Sequence, residues 1–222
     1  MLGQLMRLLV PLACAGCQRE GSVLCQQCGA QYRLMTQQCG GCGVASRHGR
    51  TCERCQKSAG SGVDYLGGVG VALRYDGPVK QAVLDLKFNG QRWAADDLAD
   101  WYQDLIPAEA FDVVTCVPIS PERYRERGYN QSELLAKAVA RQLHIPYRSC
   151  LGRYSNSHQL GLGRTDRLKQ VAGVFYSTIQ RPPKRVLIVD DVVTTGATLN
   201  ECARLLRASG ATEVWGLALA RH

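Results

Sequence analysis

RVLIVDDVVTTGATL, Arg185 to Leu199, is the stretch whose reading decides the fold. Val186 to Val189 is a short run of branched apolar residues, the pattern of a strand buried on both faces of a parallel sheet. Asp190 and Asp191 fall at its expected carboxyl end, where open α/β sheets bind ligands. Thr194, Thr195, Gly196, Ala197 and Thr198 are small or hydroxylated and can wrap N–H groups and hydroxyls around an anion. Gly196 permits a tight turn. From about Thr198, apolar residues recur at helical spacing, at Leu199, Cys202, Leu205 and Leu206. The loop therefore opens a helix, whose free N–H groups and positive dipole end face the anion.

Two carboxylates beside a phosphate cradle fit a ligand with both a phosphate and vicinal hydroxyls. The loop takes the phosphate and the aspartates accept hydrogen bonds from the hydroxyls, so a sugar phosphate is expected. VLIVDDVVTTGATL resembles the phosphoribosyl pyrophosphate (PRPP) signature of type I phosphoribosyltransferases. That resemblance implies that Asp190 and Asp191, the catalytic acid pair, hold the ribose hydroxyls. It also implies that Thr194 to Thr198 hold the 5′-phosphate.

Length and charge bound the rest. The 222 residues accommodate one core of about 150 residues and a small extra module. The net charge of +8 is unevenly spread. Residues 119–170 carry ten basic residues against four acidic ones, which suits a polyanionic ligand nearby. A basic surface also allows nucleic acid, although an excess of charge often serves only solubility. No stretch is long enough to span a membrane, so neither membrane insertion nor export is expected, and the chain reads as cytoplasmic. Leu2 to Val10 reads as a short amphipathic helix ended by Pro11.

Eight of the eleven cysteines lie in the first 55 residues, as Cys14/Cys17, Cys25/Cys28, Cys39/Cys42 and Cys52/Cys55. Each C-x-x-C knuckle aims two sulfurs at one metal, and two knuckles complete a tetrahedral site. Two Zn²⁺ ions are expected over residues 1–58. Sequential pairing groups Cys14, Cys17, Cys25 and Cys28 on one ion and the other four on the second; nested or crossed pairing stays open. Disulfides would need an oxidising compartment. His48 reads as a surface residue, since the cysteines suffice. With few large apolar side chains, this double zinc ribbon draws much of its folding energy from metal. Whether it binds nucleic acid, binds protein or braces its neighbour stays open. Cys116, Cys150 and Cys202 read as packing residues.

Residues 58–62 (SAGSG) form a linker, and residues 63–222 form the second domain. Val63 to Tyr75 reads as extended. Asp76-Gly77-Pro78 starts a helix with Val79, Ala82, Val83 and Leu86 on its apolar face. Lys80 and Lys87 lie on another face, as phosphate partners or as solvated lysines. A helix from about Trp93 to Leu105 carries Asp96, Asp97, Asp100 and Asp104 as a solvated face. Asp112 to Val117 is a strand, followed by the basic loop PISPERYRERGYNQ with Arg123, Arg125 and Arg127. Asn130 and Glu133 resemble a capping box before a helix to Leu143. Tyr147 to Leu151 reads as a strand. Arg153 to Gln170, with Arg164 and Arg167, is long for a plain connection and reads as a mobile active-site loop. Val171 to Tyr176 is extended, and Thr212 to Ala220 is a last strand. The series predicts an α/β fold with a doubly wound parallel sheet.

In this order, the cysteine-rich start, RYDGPVKQAVLDLKFNG, VPISPERYRERGYNQSELLA, SHQLGLGRTDRL and VDDVVTTGATL resemble the ComF/GntX family of bacterial proteins. The resemblance covers nearly the whole chain. It implies a type I phosphoribosyltransferase fold and a role in natural competence, the uptake or use of external DNA. It makes Val117 to Gln131 the pyrophosphate loop and 153–170 the flexible loop. Arg127, Arg164, Arg167, Lys80 and Lys87 become candidate partners for the phosphates of Mg²⁺-PRPP. A type I transferase carries a separate hood that chooses the acceptor base, and no such element is evident here. Two functions follow. One is a phosphoribosyltransferase. The other is a non-catalytic sensor of PRPP or a nucleotide that binds single-stranded DNA or proteins of the competence machinery.

Overall fold

The computed structural model describes residues 12–34, 39, 44, 46, 49–57, 65–103, 105–106, 111–155 and 173–222. The expected Leu2–Val10 helix, the linker at 58–62, Cys42, His48, Asp104, Arg164 and Arg167 lie outside the described residues.

Two short helices, α1 (Gln26–Ala30) and α2 (Glu53–Lys57), belong to the cysteine-rich segment. Then follow β1 (Gly68–Arg74), α3 (Gly77–Phe88), α4 (Ala94–Ala99), β2 (Val113–Cys116), α5 (Pro121–Arg127) and α6 (Gln131–Leu143). The chain closes with β3 (Leu151–Arg153), β4 (Phe175–Ser177), β5 (Arg185–Val193), α7 (Ala197–Ala208) and β6 (Glu213–Arg221).

β1, β6, β5 and β2 form, in that order, a four-stranded sheet whose neighbours are all parallel. β3 and β4 form a separate antiparallel pair. Side chains of β5 alternate between two cores. Leu187 and Val189 join α3 and α6 on one face; Val186 and Ile188 join α7 and the β3–β4 pair on the other. Helices thus cover both faces, as the apolar run at 186–189 requires, and the doubly wound α/β sheet is what the chain adopts.

The expected helix starts hold. Asp76 accepts from the Gly77 N–H, and Val79, Ala82, Val83 and Leu86 are buried. Asn130 accepts from the Ser132 N–H, but Glu133 turns to Lys137 at 2.7 Å, so only half of the capping box forms. Five expectations are corrected. β5 does not end at the acids but runs through them to Val193, because β6 continues beside it, with Asp190 opposite Ala218 and Val192 opposite Ala220. The helix expected at Trp93 to Leu105 is α4 followed by a 3₁₀ turn at Asp100–Tyr102. Its acids are not simply solvated: Asp96 pairs with Arg141, Asp97 accepts from the Val23 N–H, and Asp100 accepts from Gln142. The basic loop contains α5, capped by the Ser120 hydroxyl; of the strand expected at 147–151, Tyr147 makes a parallel bridge to Val114 of β2, and the next strand, β3, runs from Leu151 to Arg153.

The cysteine-rich segment covers the β1 edge, which would otherwise present unpaired backbone groups. Arg33 bridges Leu73 and Arg50 bridges Gly68 in antiparallel fashion. The Leu34 N–H donates to Ala72, and the Arg74 N–H donates to Tyr32.

Candidate functional site

The corner between β5 and α7 is where the acids and the small residues meet. Asp190, Val192 and Val193 line a small pocket with Thr194 to Leu199. Gly196 takes φ 81°, a left-handed conformation that glycine adopts without strain, and caps α7 with no side-chain bond. The first turn of α7 has no acidic residue; the Ala197 N–H meets the Thr195 hydroxyl at 3.4 Å, and the start of the helix presents its positive dipole end to an anion. Thr194 and Thr195 are exposed beside it.

Four elements hold the acid pair. The Ser132 hydroxyl, at the start of α6, donates to Asp190 Oδ1 at 2.9 Å. The same oxygen accepts the Asp191 N–H at 2.9 Å, and Asp191 Oδ1 accepts the Val192 N–H at 2.8 Å. Lys87, from the last turn of α3, brings Nζ to 2.6 Å from Asp191 Oδ2. The Tyr102 hydroxyl donates to the Asp190 carbonyl at 3.3 Å. Burial pushes the Asp190 carboxyl up to about 8; the adjacent Asp191 charge adds to this, while the Ser132 hydroxyl and the Asp191 N–H oppose it. Such repulsion between neighbouring carboxylates is relieved by a cation or by donors from hydroxyls.

Of the expected basic residues, Lys87 is brought onto the acid pair itself. Lys80 is exposed roughly two helical turns away along α3. Arg127 ends α5, with Nη1 donating to Gln131 at 3.0 Å and its guanidinium stacked 4.6 Å from the Phe88 ring centre. Ser132 and Tyr102 are site-building residues that the sequence reading did not single out, and Asn130, read from sequence only as a helix cap, is a third. The Asn130 amide donates to the Val117 carbonyl at 2.9 Å and ties the start of α6 to the end of β2. The only local signal for it was its place at the cap of α6. Cys116 and Cys202 are buried, and burial raises both thiols, Cys116 to about 12, consistent with packing.

The cysteines gather in sequential pairs. The sulfurs of Cys14, Cys17, Cys25 and Cys28 lie within 4.8 Å of one another, and so do those of Cys39, Cys52 and Cys55. The N–H groups of Gly16 and Cys25 point at Cys14 Sγ, and that of Cys52 at Cys39 Sγ, each at 3.4 Å. None of the ten described cysteines is in a disulfide. Burial pushes the Cys14 thiol up, but the N–H groups of Cys17, Cys25 and Gly16 outweigh it and hold it at about 6. Desolvation and the neighbouring thiols push Cys28 up to about 12. Four sulfurs that compete in this way for negative charge suit a central soft cation, and an S₄ set suits zinc. Among the described residues, no helix is long and apolar enough to cross a membrane.

Residues 130–221 match the family model described as the phosphoribosyl transferase domain. Competence protein F of Haemophilus influenzae is 30% identical, over 93% of this chain and 90% of its own length. Competence protein ComFC of Streptococcus pneumoniae is 28% identical, over 91% and 89% respectively. DNA utilization protein YhgH of Escherichia coli K12 is 28% identical, over 87% and 89%.

Proposed function

This chain belongs to the ComF family of competence and DNA-utilisation proteins, and we propose that it serves there by binding Mg²⁺-PRPP at the β5–α7 corner as a phosphoribosyltransferase. The observation that carries this reading is the acid pair held between Ser132 and Lys87 immediately before the uncapped start of α7. The 5′-phosphate meets Thr194, Thr195, Gly196, Ala197 and Thr198, and the ribose hydroxyls donate to Asp190 and Asp191. The diphosphate lies toward Arg127, with Arg164 and Arg167 from the 153–170 segment as further partners. Magnesium suits oxygen donors, and Asp190 and Asp191 are the protein carboxylates that would hold it beside the ligand. When bound, it neutralises charge on the departing pyrophosphate. The C1–O bond breaks, pyrophosphate leaves with the electron pair, and an acceptor nitrogen takes C1. No protein nucleophile is needed.

Two zinc ions hold the cysteine clusters of a 1–58 module, with Cys42 as the fourth ligand beside Cys39, Cys52 and Cys55. The protein works in the cytoplasm on incoming DNA or its nucleotides. Calorimetric titration of the zinc-loaded protein with Mg²⁺-PRPP tests the reading. Micromolar binding that disappears in Asp190→Asn/Asp191→Asn supports it. No binding by folded wild type removes it and leaves the non-catalytic role, with single-stranded DNA or competence proteins as partners.

A further inference from the structure

The first cysteine cluster touches the two elements that reach the acid pair. Its first knuckle, Cys14 to Cys17, contains Gly16. A Cβ on Gly16 would lie 2.8 Å from Cys28 Sγ and 3.3 Å from Pro78 Cβ, so the knuckle rests on the start of α3. Its second knuckle runs into α1, where Gly29 follows Cys28 and is buried. A Cβ on Gly29 would overlap the Trp101 ring, so α1 rests on the 3₁₀ turn at Asp100–Tyr102. Between the knuckles, Val23 accepts from the Ala15 N–H at 2.9 Å and donates its own N–H to Asp97 at 3.4 Å. Asp97 belongs to α4, which leads straight into that turn.

Each of the two elements carries one residue onto the acids. Lys87, in the last turn of α3, meets Asp191 Oδ2 at 2.6 Å. Tyr102, buried at the end of the 3₁₀ turn, donates to the Asp190 carbonyl at 3.3 Å. A buried tyrosine hydroxyl needs such a partner, and this one ties the turn to the backbone of β5 at the first acid. The two cysteine clusters differ in placement. Ala15 and Cys28 pack against the core that holds Val79, Trp101 and Tyr102, whereas Cys39 and Cys55 belong to the core of the other face. Interiors are close-packed, so a shift of the first cluster is passed to its neighbours and not absorbed by voids. Its knuckles have two states, closed around an ion and opened when the ion leaves.

We propose that the cluster of Cys14, Cys17, Cys25 and Cys28 is a regulatory zinc site for the sugar-phosphate corner. It acts through Gly29 and Trp101 on Tyr102, a positioning residue for Asp190, and through Gly16 and Pro78 on the helix that carries Lys87. The proposal rests on the sugar-phosphate reading of the β5–α7 corner. Zinc in the cluster and ligand in the corner then favour each other, and by linkage the factor is the same in both directions.

The test measures both directions on the full-length protein with ribose 5-phosphate as the probe. Calorimetry compares zinc-loaded wild type with Cys14→Ser/Cys17→Ser, which should bind ribose 5-phosphate about tenfold more weakly. Chelator competition on wild type should show one of its zinc ions held about tenfold more tightly when ribose 5-phosphate is saturating. This second measurement needs no variant, so it stays decisive even if the cysteine variant does not fold. Tyr102→Phe keeps the ring and removes only the hydroxyl. In that variant the ligand-dependent tightening of zinc should drop below about threefold, a change that a purely packing role for Tyr102 would not produce. Zinc affinity that is the same with and without ligand overturns the proposal while leaving the phosphate corner standing. Tightening in Tyr102→Phe equal to that of wild type overturns it as well. Wild type that binds no ribose 5-phosphate removes both the proposal and the sugar-phosphate reading.

Discussion

Lys87 Nζ lies 2.6 Å from Asp191 Oδ2, with only 18% and 6% of the two side chains exposed. The last turn of α3 thus supplies a cation beside the second of two adjacent acids on β5. Removing one member of a buried pair leaves an uncompensated charge. Lys87→Met should destabilise the protein by about 3 kcal/mol in urea unfolding at pH 7. The double variant Lys87→Met/Asp191→Asn should recover most of that loss. A single variant as stable as wild type would show that the pair contributes nothing.

Asp190 sets a pH dependence of known sign. Its folded carboxyl holds a proton up to about pH 8, chiefly through burial and then through the Asp191 charge, whereas in the unfolded chain it ionises near about pH 4. Between those values the folded state binds more protons. This residue therefore makes stability fall as pH rises from about 4 to about 8, and adds no further change above that. Urea titrations from pH 5 to pH 9 should show a shallower fall in Asp190→Asn than in wild type. Parallel curves would mean that Asp190 titrates alike in both states.

Gly196 occupies φ 81° at the cap of α7. A Cβ there is strained, so Gly196→Ala should cost about 1 kcal/mol of stability. It should also weaken ribose 5-phosphate several-fold, because the N–H groups it positions would shift. Thermal unfolding and calorimetry measure the two effects. Unchanged phosphate affinity would separate this turn from ligand binding.

The cysteine-rich segment packs against the 3₁₀ turn, α3 and the β1 edge through named contacts. A Cβ on Gly29 would meet the Trp101 ring at 2.3 Å, and one on Gly77 would meet the Tyr32 hydroxyl at 2.3 Å. The same segment donates from Leu34 to the β1 edge and accepts from Arg74 at 2.7 Å. Wild type should carry two zinc ions per chain, and Cys14→Ser/Cys17→Ser should carry one. Stripping metal with a chelator should speed hydrogen exchange at the Leu34 and Arg74 amides and shift the Trp101 fluorescence. Exchange that is indifferent to metal would contradict a bracing role.

Much of this was legible locally. The Val186–Val189 run, the Thr/Gly turn and the C-x-x-C spacings each express their meaning within a few residues. What stayed hidden depends on partners distant in sequence. β5 extends past Asp190 because Ala218 and Ala220 of β6 continue the register. Ser132 is 58 residues from the carboxylate it supports. Lys87 carried no mark that it would meet Asp191 and not solvent. The acids of 96–100 looked like a water-facing stripe because Arg141, Gln142 and the Val23 N–H reach them only through the tertiary fold.

The most direct test is a crystal structure of the zinc-loaded protein with Mg²⁺ and PRPP. The predicted result is a 5′-phosphate within hydrogen-bond distance of the Thr194–Thr198 backbone, with the ribose hydroxyls on Asp190 and Asp191. A ligand bound elsewhere, with that corner left to solvent, would contradict the assignment of the β5–α7 corner as a sugar-phosphate site.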